Sequence, residues 1–152
     1  MRKVAVVGTV GALLLSGVAM GATPQFYAGE TSQRQPILIY TKAGKVFLVS
    51  FDAQWKGAKK CQTLNGPPKL STSLAFIYGR PQLRIQDGKF SGKMETDRHN
   101  FVDVRGIVTS ASVTGSFAAT STFEMVLKGK LEAVGPVCHT GTVTYTLTRE
   151  TA

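Results

Sequence analysis

Short runs of apolar residues, separated by turn residues, recur along the chain from residue 36 onward, apart from a long loop over residues 52–70. The stretch "PILIYTKAGKVFLVSF" has two such runs on either side of Ala43-Gly44, which is typical of a β-hairpin. "QLRIQDGKFSGKM" has the same form around Asp87-Gly88, and Asp-Gly between alternating apolar residues strongly favours a two-residue hairpin turn. No segment beyond the N-terminus shows the 3.6-residue period of an amphipathic helix.

Further apolar runs bring the predicted total to about nine strands. They are "SLAFIY", "FVDVRGIV", "SVTGSFAA", "TFEMVLKGKLEAV" and "GTVTYTLTRE". Residues 23–35 are polar apart from Phe26-Tyr27 and lie outside these strands. The strand count and spacing predict an all-β fold, either an antiparallel β-sandwich or a barrel-like meander.

A glycine-centred pattern recurs in the second half of the chain, as "FSGKM", "VRGIV", "VTGSF", "LKGKL" and, less completely, "HTGTV". Positions two apart share one face of a strand, so each glycine is predicted to face the core between apolar neighbours. Glycine there marks a bend, a bulge or a bulky side chain packed over bare backbone. The glycines are Gly92, Gly106, Gly115, Gly129 and Gly141, and the expected covering rings are Phe90, Phe117, Phe123 and Tyr145.

The N-terminus has the three parts of a secretory signal peptide. Arg2 and Lys3 precede an apolar run that closes on small residues, so cleavage is predicted near Gly21–Ala22. The alternative is an uncleaved anchor, for which the run is slightly short of the roughly 20 residues of a membrane span. We therefore expect a signal peptide over residues 1–22 and a single secreted, extracellular β domain over residues 23–152.

The net charge of the chain indicates which class of partner it favours. The chain has a net charge of +9, and removal of Arg2 and Lys3 with the signal peptide lowers it to +7. A basic exported protein favours anionic polymers of the cell envelope or acidic glycans over nucleic acid, which is scarce outside the cell. The oligomeric state is not determined by the sequence.

Only two cysteines occur, Cys61 and Cys138, and both lie in the exported part. An even count outside the cytosol favours a disulfide. The rival is a zinc site that adds His139, but it lacks paired C-x-x-C spacing, and adjacent strand residues point to opposite faces. In the terminal strand Val143, Tyr145 and Leu147 are predicted to face the core, and Thr142, Thr144, Thr146 and Thr148 to face outward. If the strand is unbroken, His139 lies on the core face and Cys138 on the threonine face, whereas a bulge at Gly141 would exchange them.

Several stretches resemble a group of small secreted bacterial β-domains of uncharacterised function. They are "YAGETSQRQPILI", "IQDGKFSG", "VTGSF" and "VCHTGTVTYT", together with the mid-chain cysteine. The resemblance covers most of the mature chain and implies a fold and export, with no activity to carry over. A typical member has glycine where Arg34 stands, so this chain departs from the group at the local turn.

Few residues are candidates for chemistry. The chain has no nucleophile elbow, H-E-x-x-H motif, P-loop or dinucleotide fingerprint, and no cofactor is expected. Asp97, His99 and Asp103 match no standard metal-ligand spacing, and the carboxylate pairs stand in no recognisable glycosidase frame. Those pairs are Glu95 with Asp97 and Glu124 with Glu132.

The remaining candidate surface is "WKGAKK", where Trp55 is close to Lys56, Lys59 and Lys60. An aromatic ring that stacks on a sugar, next to a cluster of lysine ammonium groups, is suited to bind an anionic or sugar polymer. The alternative is a solvated loop whose tryptophan covers the end of the core. The sequence thus predicts a non-catalytic binding or interaction module rather than an enzyme, with a small secreted hydrolase or protein inhibitor as the alternative.

Overall fold

The computed structural model describes residues 23–58, 61, 76–97, 99–127 and 129–151. Ten antiparallel strands form one continuous, nearly closed, barrel-like sheet. The strands are β1 (Gln25–Glu30), β2 (Pro36–Lys42), β3 (Lys45–Phe51), β4 (Phe76–Tyr78), β5 (Leu83–Arg84), β6 (Lys89–Asp97), β7 (Asn100–Val108), β8 (Ser112–Leu127), β9 (Lys130–His139) and β10 (Val143–Arg149). The all-β prediction is confirmed, and the barrel-like alternative is the one adopted.

The sheet order is β4-β3-β2-β1-β10-β8-β7-β6, with β5 paired to β3 and β9 paired to β8. β4 and β5 also pack against β6, and the Glu95 amide donates a hydrogen bond to the Arg80 carbonyl. These contacts bring the two ends of the sheet together. Among the described residues, no helix is long and apolar enough to cross a membrane.

Both predicted hairpin turns are confirmed. Ala43-Gly44 and Asp87-Gly88 have positive φ at both residues, as type I′ turns require. The glycines take this conformation at little cost because they have no Cβ. The two turns set the registers of β2 against β3 and of the short Gln86–Lys89 bridge that leads into β6.

Three predictions about strands were wrong. Residues 25–30 form β1, which sequence patterning missed because the strand places only Tyr27 fully in the core. "TFEMVLKGKLEAV" is two strands instead of one, because Gly129 turns the chain with a φ of 78° between β8 and β9. β8 also unites "SVTGSFAA" and "TFEMVL" into a single strand of 16 residues.

The inner face of the sheet holds the core. A series of rings crosses it: Phe51 lies 5.7 Å from Tyr78 and 4.3 Å from Phe117, and Phe117 lies 6.4 Å from Tyr145 between ring centroids. Val49, Val104, Val113 and Leu147 are examples of the aliphatic residues buried around these rings.

The T-S-Q stretch at residues 31–33 binds the β1–β2 connection to the rest of the barrel. The Thr31 hydroxyl accepts hydrogen bonds from the Gln33 and Gln35 amides, and the Ser32 amide donates to the Thr144 carbonyl at 2.8 Å. The Gln33 side-chain oxygen accepts from the Gln54 amide at 2.8 Å. Arg34 has a φ of 57°, a left-handed conformation that suits glycine better. These motif residues therefore have structural roles.

Candidate functional site

The outward face of β6, β7, β8 and β10 carries an open groove of about 810 Å³. Its side chains come from the outward positions of these strands, from β5 and from the β5–β6 connection. They are Arg84, Gln86, Lys89, Ser91, Arg105, Ile107, Thr114, Ser116 and Thr144, and Gly106 and Gly115 also line it. We call this surface the outer groove.

A pair of facing glycines lies at the floor of the outer groove. Gly106 of β7 and Gly115 of β8 lie directly opposite each other, and the Phe90 ring and the Tyr145 hydroxyl pack over them from inside. A Cβ on Gly106 would lie 2.7 Å from the Phe90 ring, and one on Gly115 would overlap the Arg105 carbonyl. The aromatic residues thus fill the inside, and bare backbone forms part of the outer groove.

The strand register places the outward side chains in two rows across the sheet. One row runs Ser91–Arg105–Ser116–Thr144, and the other runs Lys89–Ile107–Thr114–Thr146. Because neighbouring strands are about 4.8 Å apart, each row is about 14 Å long from β6 to β10. Hydroxyl groups and cations therefore lie side by side along a continuous strip of surface.

The β5–β7 end of the outer groove is positively charged. Arg84, Lys89 and Arg105 are exposed, and none of them forms an ion pair with another residue that the structure describes. Asp103 occupies the next outward position along β7 from Arg105 and lies across from Lys93. The three cations are consequently available to an incoming anion.

A second, smaller depression of about 400 Å³ extends the groove toward the β1–β2 connection. It shares Thr114, Gly115 and Thr144 with the outer groove and adds Glu30 and Ser32, among others. The Ser32 hydroxyl accepts a hydrogen bond from the Thr144 amide at 3.1 Å. The whole surface therefore runs from three cations, over hydroxyl groups, to one carboxylate.

The surface predicted from "WKGAKK" is not assembled as a stacking platform. Trp55 is only 3% exposed and belongs to the core, so its ring offers no face to a ligand. Lys56 is exposed, and its backbone pairs with His139 through hydrogen bonds of 2.7 and 3.0 Å. That pairing turns the side chain of the preceding residue, Trp55, toward the core. Lys59 and Lys60 lie outside the described residues.

The predicted disulfide is confirmed: Cys61 and Cys138 are bonded, with their Cα atoms 5.5 Å apart. Cys138 is buried and His139 exposed, because the turn at Gly141 breaks the alternation before β10. Gly57 packs against this bond, since a Cβ there would lie 3.0 Å from the Cys61 Sγ. The bond joins the segment after β3 to β9.

The glycine pattern was correct at three positions and wrong at two. Gly92, Gly106 and Gly115 lie in the inward row between buried residues, and Phe90, Phe117 and Tyr145 are buried as expected. Gly129 and Gly141 instead occupy turns with φ of 78° and 67°, and a Cβ at either position would have no atom within 4 Å. The side chain of Phe123 lies outside the described part of the chain.

The other candidates do not gather into a site that the structure describes. Asp103 is exposed on β7, His99 lies in the β6–β7 turn, and Asp97 ends β6. Among the described residues, no three His, Cys, Asp or Glu side chains lie close enough to hold a metal ion. Glu95 is exposed, and the side chains of Asp97, Glu124 and Glu132 are not described.

Sequence reasoning missed the residues of the outer groove. The sequence did hold a signal for them: the residues directly before and after each core-facing glycine point outward from the strand. They are Ser91 and Lys93, Arg105 and Ile107, and Thr114 and Ser116. All of them except Ile107 are polar, which was visible in the sequence, but their union into one surface depends on the register between strands.

No family model, no curated protein and no solved structure matches this chain.

Proposed function

We propose that this chain is an exported, non-catalytic binding module that holds an anionic polymer of the cell envelope in the outer groove. One observation carries the proposal: Arg84, Lys89 and Arg105 lie at one end of an open groove with no ion-pair partner among the described residues. Exposed cations that are not neutralised within the protein favour an anionic partner.

The chemistry of the lining suits oxyanions. The guanidinium groups of Arg84 and Arg105 offer planar pairs of donors that match carboxylate or phosphate oxygens. Ser91, Ser116 and Thr144 add hydroxyl groups that donate to and accept from a hydroxylated ligand. The groove is open along its length, a shape that accommodates a chain more readily than an enclosed small molecule.

A binding role is favoured over hydrolysis by the lining of the outer groove. Among its described residues there is no imidazole and no carboxylate to serve as a general base beside the serine and threonine hydroxyls. Export is supported by the Cys61–Cys138 disulfide, since such bonds persist in oxidising compartments, and by the signal-like residues 1–22.

The test is a pull-down of mature protein on purified cell envelope at low and high salt. Lys89→Gln with Arg105→Gln removes two charges from the outer groove. Lys42→Gln with Lys45→Gln removes the same charge from the exposed β2–β3 hairpin and is the matched control. We expect retention at low salt for the parent and the control, loss for the groove variant, and general release near 1 M salt, where the Debye length is about 3 Å.

A third variant separates this proposal from the loop predicted by sequence. It changes Lys56, Lys59 and Lys60 together to glutamine and should keep its retention if the outer groove is the site. Equal retention of the groove variant and the parent would contradict the proposal. Loss in the loop variant alone would place the binding site at "WKGAKK" instead.

A further inference from the structure

We infer that the ligand of the outer groove is an acidic oligosaccharide whose anionic groups are separated by neutral, hydroxylated sugars, and not a uniformly charged polymer. The inference rests on the proposed function and specifies its ligand. It is carried by the uneven distribution of charge along the outer groove and the depression that adjoins it: three cations at the β5–β7 end, hydroxyl groups in the middle, and Glu30 in the depression at the other end.

The cationic end selects one anionic group or two neighbouring ones. Lys89 and Arg105 occupy diagonal positions on β6 and β7, since Ser91 lies opposite Arg105 and Ile107 opposite Lys89. Diagonal neighbours in a sheet are about 7–8 Å apart, so both side chains can reach the same acidic group. Arg84 lines the same end from β5.

The side chains of β8 and β10 that line the outer groove are uncharged. Thr114, Ser116, Thr144 and Thr146 follow on β8 and β10. A row of hydroxyl groups both donates and accepts hydrogen bonds, which matches the hydroxyl and amide groups of neutral sugars. Phosphate and sulfate oxygens only accept, so this part of the groove favours a ligand with donors of its own.

Glu30 disfavours polymers that carry a negative charge on every unit. A polymer with an anion on every unit, anchored at Arg105 and running toward β1, would bring a further negative charge to the exposed carboxylate of Glu30. Like charges in such a position are destabilising and oppose binding. A chain with neutral units between its acids can place a sugar hydroxyl there as a donor to Glu30.

Ile107 supports a sugar ring over a phosphodiester backbone. Its side chain is 53% exposed and lies between Lys89 and Thr114 in the second row. The carbon face of a pyranose ring covers such an apolar side chain, whereas a fully charged chain leaves it in water. The second row thus combines a charge, an apolar contact and a hydroxyl.

The experiment measures calorimetric affinity for three probes at physiological ionic strength. They are a hexasaccharide with a uronate on every second sugar, a linear polyphosphate and a neutral hexasaccharide of N-acetylglucosamine. We expect the alternating hexasaccharide to bind at least tenfold more tightly than either of the others. Polyphosphate binding as tight or tighter would overturn this inference while leaving the proposed function intact, and no binding by either anionic probe would contradict both.

Glu30→Gln tests the source of the discrimination. It should raise the affinity for polyphosphate several-fold and leave that for the alternating hexasaccharide unchanged or slightly lower. Glu95→Gln removes an equal charge from an exposed position on β6 that does not line the groove and is the matched control. If both variants strengthen polyphosphate binding equally, net charge explains the change, and the assigned role of Glu30 is wrong.

Discussion

Two outward faces of the same barrel differ in what lies above the backbone. On β1, β2 and β3, here the aromatic wall, Phe26 stacks on Tyr40 at 4.7 Å, and Tyr40 lies 5.9 Å from Phe47. On β6, β7, β8 and β10, here the glycine wall, short hydroxyl side chains and cations surround the bare backbone of Gly106 and Gly115. Rings cover the outward face of β1, β2 and β3, whereas hydroxyl groups and cations border the groove on β6, β7, β8 and β10.

The two walls also differ in their strand pairing. A bulge in β3 places Phe47 between the pairs Tyr40–Leu48 and Thr41–Val46, so that consecutive residues Phe47 and Leu48 are both only half-buried. The glycine wall has no bulge at Gly106 and Gly115, where the pairing is regular. There the absence of two Cβ atoms lets Phe90 and Tyr145 approach the backbone. Substituting glycines is therefore the direct way to alter this wall.

The largest expected effect on stability comes from removing the Cys61–Cys138 disulfide. Cys138→Ser removes the bond that joins the segment after β3 to β9 across 77 residues. Loss of a native disulfide commonly costs about 2–5 kcal/mol, because the unfolded chain gains freedom. Denaturant unfolding should show a midpoint lowered accordingly, and Cys61→Ser should match it. An unchanged midpoint in both variants would contradict a structural role for the bond.

The next effect is specific to the glycine wall. Gly115→Ala places a methyl group against the Arg105 carbonyl and close to the Tyr145 hydroxyl, so we expect a loss of about 3 kcal/mol from overpacking. Gly129→Ala is the control, since it has free space around the new methyl but a φ of 78°, and backbone strain alone costs about 1–2 kcal/mol. Equal losses in thermal unfolding would show that crowding at Gly115 is unimportant.

Tyr145→Phe tests the ring that covers the glycines. The hydroxyl donates to the Arg105 carbonyl at 2.8 Å, and its loss should cost about 1 kcal/mol at neutral pH. Burial raises the pKa of Tyr145 above its ordinary 10.0, so the unfolded chain releases this proton first and stability falls as the pH rises above 10.0. The variant should lose less stability over that alkaline range. An identical alkaline decline in both proteins would contradict the role of this tyrosine.

The smallest expected effect is an increase in the free energy of unfolding. Arg34→Gly relieves a left-handed backbone conformation beside the aromatic wall, and the relief is partly offset by the greater freedom of the unfolded chain. We expect a rise in unfolding free energy of up to about 1 kcal/mol. Arg34→Val should do the reverse, because a β-branched side chain tolerates that conformation poorly. A loss of stability in the glycine variant would mean that the arginine side chain stabilises the turn.

Local features of the sequence predicted much of the fold. Ala43-Gly44 and Asp87-Gly88 identify their turns because positive φ is required within the dipeptide itself. The two cysteines left one possible intramolecular pairing. Gly129 and Gly141 were misplaced because the same glycine-centred pattern serves both a strand crossing and a turn. β1 was missed because Tyr27 alone carries its contribution to the core.

The candidate site was less accessible to sequence reasoning. Ser91, Arg105, Ser116 and Thr144 are far apart in the chain and meet only through three strand registers. No spacing within one strand specifies such a row. By contrast, Trp55 is close to three lysines in the sequence and was therefore interpreted as a ligand contact, although its large apolar ring lies in the core.

An NMR titration of isotopically labelled residues 23–152 with the alternating acidic hexasaccharide tests the central claim most directly. The account predicts saturable amide shifts at Arg105, Gly106, Gly115 and Ser116 on the glycine wall. It predicts none at Phe26, Tyr40 and Phe47 on the aromatic wall, and loss of all shifts in the Lys89→Gln, Arg105→Gln variant. Shifts centred on the aromatic wall, or shifts that persist in that variant, would contradict it.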